Sequence, residues 1–213
     1  MKSWLRVIGD VHGTEYAYLA FIGNAEYSIQ VGDFDCEYQH LIEKGVDPNR
    51  HVFIGGNHED YGTIAKVPHF LGDFGTFHVP DFGDVFFLRG AFSVDFKNRS
   101  IWPEEELSRE RLQQAIDLYA QVKPRMLVSH ECPLDIVQYV TNPEFMTSMG
   151  FEQAVVKTKT NQALQAMTDI HPPKVHCFGH YHRNWRNKVK DTLYFCVGLL
   201  QFIDFEKGWL DTL

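Results

Sequence analysis

The sequence predicts an α/β protein, and three observations carry that expectation. The N-terminal half repeats one unit, in which a short apolar run meets a glycine and then a polar cluster. The segments between these runs have apolar residues at roughly helical spacing, which argues for strand–helix alternation and a partly parallel sheet. Residues 74–96 then change character to closely spaced β-prone runs separated by Gly or Pro, as a second sheet requires.

The elements follow in order. Residues 4–8 form the first expected strand and run into Gly9-Asp10-Val11-His12-Gly13, where the two glycines let the backbone turn without a Cβ in the way. Tyr16, Leu19, Ala20 and Ile22 mark a helix after it. Residues 27–31 form a second strand ending in Gly32-Asp33, followed by Tyr38, Leu41 and Ile42 at helical spacing. Pro48 and Asn49 turn the chain into a third strand, 51–54, which ends in Gly55-Gly56-Asn57. A β-meander is expected over 74–79, 85–88 and 91–94, with Asp81-Phe82-Gly83-Asp84 as a hairpin turn. Pro103 and Glu104, Glu105 and Glu106 place proline and acids at a helix start. Leu107, Leu112, Ala115, Ile116 and Tyr119 continue that helix to about 122, where Lys123-Pro124 stops it. Residues 125–129 are the next strand, ending at His130. Residues 137–170 give the weakest signal: Asn142-Pro143, Met146, Met149 and a helix over about 160–167, read as covering the core rather than capping a site. Residues 175–178 form a strand that runs into Gly179-His180-Tyr181-His182, and 192–197 with 200–205 read as a closing hairpin around Gly198. The 213 residues suit one domain over 1–213, with no repeat, low-complexity tract or linker.

Composition excludes some functions. Hydrophobic residues at 44% and charged residues at 23% describe an ordinary globular protein, and 17 Phe, 9 Tyr and 4 Trp supply its core. A net charge of −8 disfavours broad electrostatic binding of nucleic acid, which depends on Lys and Arg neutralising phosphates. Bound divalent cations would restore positive charge locally, so nucleic acid stays open as a substrate. No window approaches 18 consecutive apolar residues, so no membrane partner is expected. Cys36, Cys132, Cys177 and Cys196 form no CxxC pair, and no signal peptide is visible, which points to reduced thiols and a cytoplasmic protein.

The chemistry-bearing residues sit where the strands end: Asp10, His12, Asp33, Asn57, His58, His130, His180 and His182. Carboxyl ends of parallel strands converge on one crevice, so residues spread over much of the chain can meet there. Asp, Asn and His without thiolate suit borderline divalent ions. The set exceeds what one tetrahedral ion uses and is about right for two ions sharing a carboxylate. Asp-x-His or Gly-Asp alone is a weak signal, and a lone histidine at a strand end is more often a structural residue. His40, His51, His69, His78, His171 and His176 are read that way. The ordered set of motifs, each after an expected strand, is far more specific than any one of them.

Gly9-Asp10-Val11-His12, Gly32-Asp33, Gly56-Asn57-His58-Glu59, His130 and Gly179-His180-Tyr181-His182 together resemble the calcineurin-like metallophosphoesterase superfamily. The resemblance covers most of the chain and implies a four-layer α/β/β/α sandwich of two mixed sheets flanked by helices. It implies one metal on Asp10, His12, Asp33 and His182 and a second on Asp33, Asn57, His130 and His180, with Asp33 bridging. It implies two divalent ions, manganese first, with Fe, Zn, Ni, Co or Mg as other candidates. His58 is not a ligand in that pattern; it contacts the phosphate and protonates the leaving group. Gly13 also fits the protein serine/threonine phosphatase branch, but the arginines of that branch are missing. Gly32-Asp33-Phe34-Asp35-Cys36-Glu37 lacks one, and Gly55 replaces another. The same departure leaves Asp35 and Glu59 both open as the acidic partner of His58.

The expected function is therefore metal-dependent hydrolysis of a phosphodiester or phosphomonoester of a small molecule. A hydroxide held between the ions is the expected nucleophile and His58 the general acid. A nuclease-type phosphodiesterase and a non-catalytic scaffold are the competing readings. Arg183, Asn184 and Trp185 follow the last ligand and read as a solvated loop, as Asn98, Arg99 and Trp102 read as surface. Cys36 and Cys132 lie close to ligands but lack a thiolate-activating partner.

Overall fold

The computed structural model describes residues 3–93, 104–148, 150 and 156–213. Three parallel strands, β1 (Ser3–Ile8), β2 (Ala25–Gln30) and β3 (His51–Phe53), form the first sheet, with β10 (Phe202–Phe205) antiparallel on the free edge of β1. The second sheet has the order β4 (Phe74–Val79), β5 (Gly83–Leu88), β6 (Met126–Ser129), β7 (Val175–Phe178), β9 (Thr192–Cys196), β8 (Trp185–Val189). Its four central strands are parallel and its two edge strands antiparallel.

Strand alternation decides the layers. Leu5, Val7 and Ile29 from the first sheet pack against Val85, Phe87, Val128 and Cys177 from the second, making an apolar core between the sheets. Ile8 and Phe53 face the other way. They meet Tyr18 and Ile22 of α1 (Glu15–Ile22), Leu41 of α2 (Tyr38–Glu43) and Ile64 of α3 (Tyr61–Ile64). On the far side Phe86, Leu88 and Leu127 pack against α4 (Arg109–Val122) and α7 (Lys159–Ile170). Phe178 and Tyr194 pack against α5 (Leu134–Val140). The result is a four-layer sandwich of two mixed sheets flanked by helices.

The structure differs from the sequence reading at four places. The meander has two strands; Ala91–Ser93 leave the sheet, because the Gly90 N–H donates to the Gly55 carbonyl at 2.8 Å and draws the chain toward the end of β3. Val94 lies outside the described residues. Helix α4 begins five residues after Glu104, where the Ser108 hydroxyl accepts the Arg111 N–H at 3.2 Å and caps it; a side-chain cap outweighs acids placed upstream. The expected closing hairpin is two strands of different sheets. β9 pairs with β7 and β8, whereas β10 crosses to β1. Leu200 enters the left-handed region (φ 52°) to make that crossing. The hairpin partner of β9 is instead β8, whose exposed Arg186, Asn187 and Lys188 show no apolar run, as befits an edge strand.

Residues 137–170 divide in two. α7 covers the core with α4, as expected. α5, α6 (Pro143–Ser148) and the stretch from Val156 to Thr158 flank the crevice at the strand ends.

Candidate active site

The strand ends of both sheets meet. β1 delivers Asp10 and His12, β2 delivers Asp33, and β3 delivers Asn57 and His58. From the second sheet, β6 delivers His130 and β7 delivers His180 and His182. The structure brings all eight sequence-predicted residues to this junction. Two glycines permit the approach: a Cβ at Gly56 would overlap the Asp33 carboxylate and lie 2.7 Å from His130 Nε2, and one at Gly179 would overlap the Asp10 carboxylate. Gly9, expected to serve a turn, instead sits against the Gly198 and Val197 carbonyls.

The backbone is strained where the donors sit. His12 (φ 43°), Asp33 (φ 53°), His180 (φ 67°) and His182 (φ 52°) are all left-handed, as is Asp35 (φ 55°). Non-glycine residues visit this region rarely, at a cost of about 1–2 kcal/mol each. Such a concentration marks a place where side-chain aim outweighs backbone comfort.

In one cluster, Asp10, His12, Asp33 and His182 each place a donor atom within 4.8 Å of the others. His182 Nε2 lies 3.0 Å from both Asp10 Oδ2 and His12 Nε2. Asp10 also accepts the His180 backbone N–H at 3.1 Å, tying β1 to the β7 loop. In the other cluster, Asn57 Oδ1 faces His180 Nδ1 at 2.9 Å and His130 Nε2 at 3.0 Å. His130 Nδ1 donates to the Val31 carbonyl at 2.8 Å, so its Nε2 lone pair is aimed at the Asn57 and Asp33 oxygens. The Asn57 amide donates to Ser93 Oγ at 2.9 Å, which orients its oxygen inward. Acceptors facing acceptors across 3 Å call for a cation between them, and this O/N donor set fits a divalent metal. Without one, a proton serves. Burial works to lower the His130 pKa, but Asp33 at 3.4 Å outweighs it and holds the ring well above its usual value. Burial likewise works to raise Asp33, and His130 with the neighbouring imidazoles overrides it downward. His180, buried and beside His130, is pushed down to about 3, and burial lowers His12.

Asp35 and Glu59, the two acids open as partners of His58, sit differently. Glu59 is fully buried and engaged elsewhere: its two oxygens accept the Phe34 and Gly56 N–H groups, each at 2.6 Å, clamping the second and third motifs together. Asp35 is the carboxylate on the open side, 4.0 Å from His12 Nδ1 and in the electrostatic field of His58. Burial and the Asp33 charge raise its pKa. Sequence reasoning also missed Gln30, whose buried amide bonds the Gly9 and Gly32 backbones, and Glu131, which accepts the Tyr181 hydroxyl and so ties the His130 loop to the His180 loop. The Gly-Asn-His-Glu pattern did signal Glu59. A lone Gln or Glu in a strand or loop carries no such signal.

Of the remaining residues, Arg183 lines the crevice and its guanidinium reaches the Val140 and Thr141 carbonyls at 3.3 and 3.4 Å. Asn184 accepts the Gly198 N–H, and Trp185 opens β8. Asn98, Arg99 and Trp102 lie outside the described residues. His69 and His176 are buried structural residues, while His78 pairs with Asp84 at the surface. Burial raises the Cys36 and Cys132 thiols, which suits structural cysteines. A cavity of about 490 Å³ opens beside the donors, with Asp33, Asn57 and His58 at one end and side chains of α5 and α6 at the other.

A family model for calcineurin-like phosphoesterases matches residues 4–184. The chain belongs to that family. No curated protein matches the sequence. Among solved structures, this phosphoesterase resembles a Staphylococcus aureus protein assigned as a 5′-nucleotidase, in complex with alpha-ketoglutarate (TM-score 0.52, 16% identity, 92% of this chain and 48% of that one). It also resembles the phosphopantetheinyl hydrolase of Mycobacterium tuberculosis (0.52, 15%, 93% and 91%). A third neighbour is GAP50, the anchor in the inner membrane complex of Plasmodium (0.51, 11%, 91% and 70%). The phosphoesterase spans about half the length of the first of these. At such identities the likeness is one of fold. Family and donor cluster together give the chain a candidate divalent-metal site. Among the described residues, no helix is long and apolar enough to cross a membrane.

Proposed function

We propose that the protein hydrolyses a small phosphate ester with two divalent ions, manganese foremost. One observation carries this reading: Asp33 Oδ2 lies 3.7 Å from His12 Nε2 and 3.4 Å from His130 Nε2, so a single carboxylate oxygen faces both donor clusters. Asp10, His12, Asp33 and His182 would hold one ion and Asp33, Asn57, His130 and His180 the other. When bound, such a pair activates water and neutralises charge on a phosphoryl group. His58 is held by its backbone N–H on Asp33 Oδ1 at 3.0 Å and lines the cavity, with its ring 5.4 Å from that of His12. From there it would donate a proton to the departing ester oxygen. The four cysteines are unpaired and buried, which fits a reducing compartment.

The same fold serves as an anchor in Plasmodium, so the donor set, and not the fold, supports catalysis here. The test is turnover of a chromogenic monoester, a chromogenic diester and a single-stranded oligonucleotide after loading with Mn, Fe, Zn, Ni, Co or Mg. Hydrolysis of a small ester that stops on chelation is expected. Cleavage of the oligonucleotide alone would move the assignment to a nuclease, and silence with every metal would move it to a scaffold.

A further inference from the structure

The cavity beside the donors is chemically lopsided. One end is the polar junction of Asp33, Asn57 and His58. The other is walled by Val137, Val140 and Met146, which are 2%, 1% and 5% exposed, together with Phe92, Val156 and the Tyr181 ring. Several polar groups at this second end are already engaged. Glu131 accepts the Cys132 N–H at 2.8 Å and also the Tyr181 hydroxyl. Thr141 Oγ1 donates to the Val137 carbonyl at 2.9 Å, and Thr158 Oγ1 accepts the Asn161 N–H at 3.0 Å as a helix cap. Arg183 is the one Lys or Arg among the described lining residues.

We infer that the alcohol or phenol esterified to the phosphate is an apolar group, seated against α5 and α6 with the phosphoryl group at Asp33, Asn57 and His58. The inference extends the phosphohydrolase reading by naming a substrate class, and it rests on that reading. Three physical points carry it. Hydroxyls of a sugar placed against Val137, Val140 and Met146 would lose water without gaining partners, whereas alkyl or aryl carbon gains from burial there. A nucleoside polyphosphate would bring several charges to a wall that offers one guanidinium, Arg183, and also carries the Glu131 carboxyl. A volume of about 490 Å³ fits a small-molecule pocket with one polar end and a largely apolar wall opposite.

The experiment is calorimetric titration of the full, manganese-loaded chain with non-hydrolysable n-alkylphosphonates from ethyl to octyl. A glycerol-type polyol phosphonate matched in heavy atoms to a mid-length member serves as comparator. Affinity should rise about fourfold per methylene until the cavity is filled. The polyol should bind at least about tenfold more weakly than its alkyl match. Val140→Asp should flatten the series, and the near-isosteric Val140→Thr should reduce its slope if the aspartate variant does not fold. A flat series with ethylphosphonate still bound overturns the inference and leaves the phosphohydrolase reading standing. So does a polyol that binds as tightly as its alkyl match. No phosphonate binding at all, in protein shown to hold manganese, removes both.

Discussion

The two halves of the donor set meet solvent differently. In the half built on Asp10 and His12, the His12 and His182 side chains are 28% and 44% exposed. In the half built on Asn57 and His130, His130 is fully buried, Asn57 is 2% exposed and His180 is partly buried. The buried donors are also aimed in advance, His130 by the Val31 carbonyl and Asn57 by Ser93. Donors already oriented surrender little freedom when an ion arrives, whereas exposed ones must be ordered by it. The expected consequence is one slowly exchanging ion in the buried half and one readily exchanging ion in the open half, joined through Asp33.

Asp33→Asn attacks the joint and should have the largest effect. Both affinities should fall by more than about 100-fold, beyond the 10–100-fold that outer-shell partners carry. Two tightly held equivalents by metal analysis would refute the shared carboxylate. His130→Ala and His182→Ala then separate the halves. The first should leave only a rapidly exchanging ion, and the second should keep a slowly exchanging one, as read by timed competition with a chelator. Identical exchange in the two variants would erase the contrast.

His58→Ala should touch neither half. Turnover should drop about 10²–10⁴-fold, the range of a lost general acid, while metal content stays near wild type. Loss of bound metal would make His58 a ligand instead.

His176 sharpens what burial does to an imidazole with no ion to serve. Like His130 it is fully buried, but its partner is the Ser129 hydroxyl at 2.7 Å rather than a carboxylate. Burial therefore pushes it down to about 3. Its folded pKa lies below its unfolded value of about 6.5, so the unfolded chain binds the proton more readily in between. The stabilisation is complete above about pH 6.5 and is lost as pH falls toward 3. Between pH 7 and pH 5, wild type should lose about 2 kcal/mol more than His176→Gln in urea unfolding.

Much of the site was legible because each donor follows an apolar run, most of them through a glycine. Asp10, Asp33, His130 and His180 could be picked out as strand-end residues before any geometry was known. Their aim could not. Nothing in the residue types announces that His12, Asp33, His180 and His182 turn left-handed, since that conformation is imposed by contacts such as Val11 and His12 N–H on the Asp33 carbonyl. Topology was legible where a connection is local, as in the β4–β5 hairpin, and failed where the choice is long-range. An alternating strand such as β10 suits the edge of either sheet, and only packing of Phe205 among Val85, Phe195 and Trp209 selects the first. The cavity wall was least legible. α5 has 7 residues and α6 has 6, too short for a periodic stripe to distinguish lining a pocket from covering a core.

The finest test of the contrast is Ser93→Ala. Asn57 is symmetric in shape, and the hydrogen bond from its amide nitrogen to Ser93 Oγ keeps its oxygen toward His130 and His180. Ser93 is held in turn by Glu105, 7% exposed, which hydrogen-bonds its side chain and backbone. Losing the hydroxyl lets the amide turn over and present N–H groups to the ring nitrogens. Affinity of the slowly exchanging ion should fall about tenfold, at the low end for an outer partner, while the readily exchanging ion is unaffected. Ser93→Thr keeps the hydroxyl and should restore the affinity. An equal loss at both ions, or no rescue by threonine, would mean that Ser93 supports the loop as a whole and that the buried half owes its hold to burial alone.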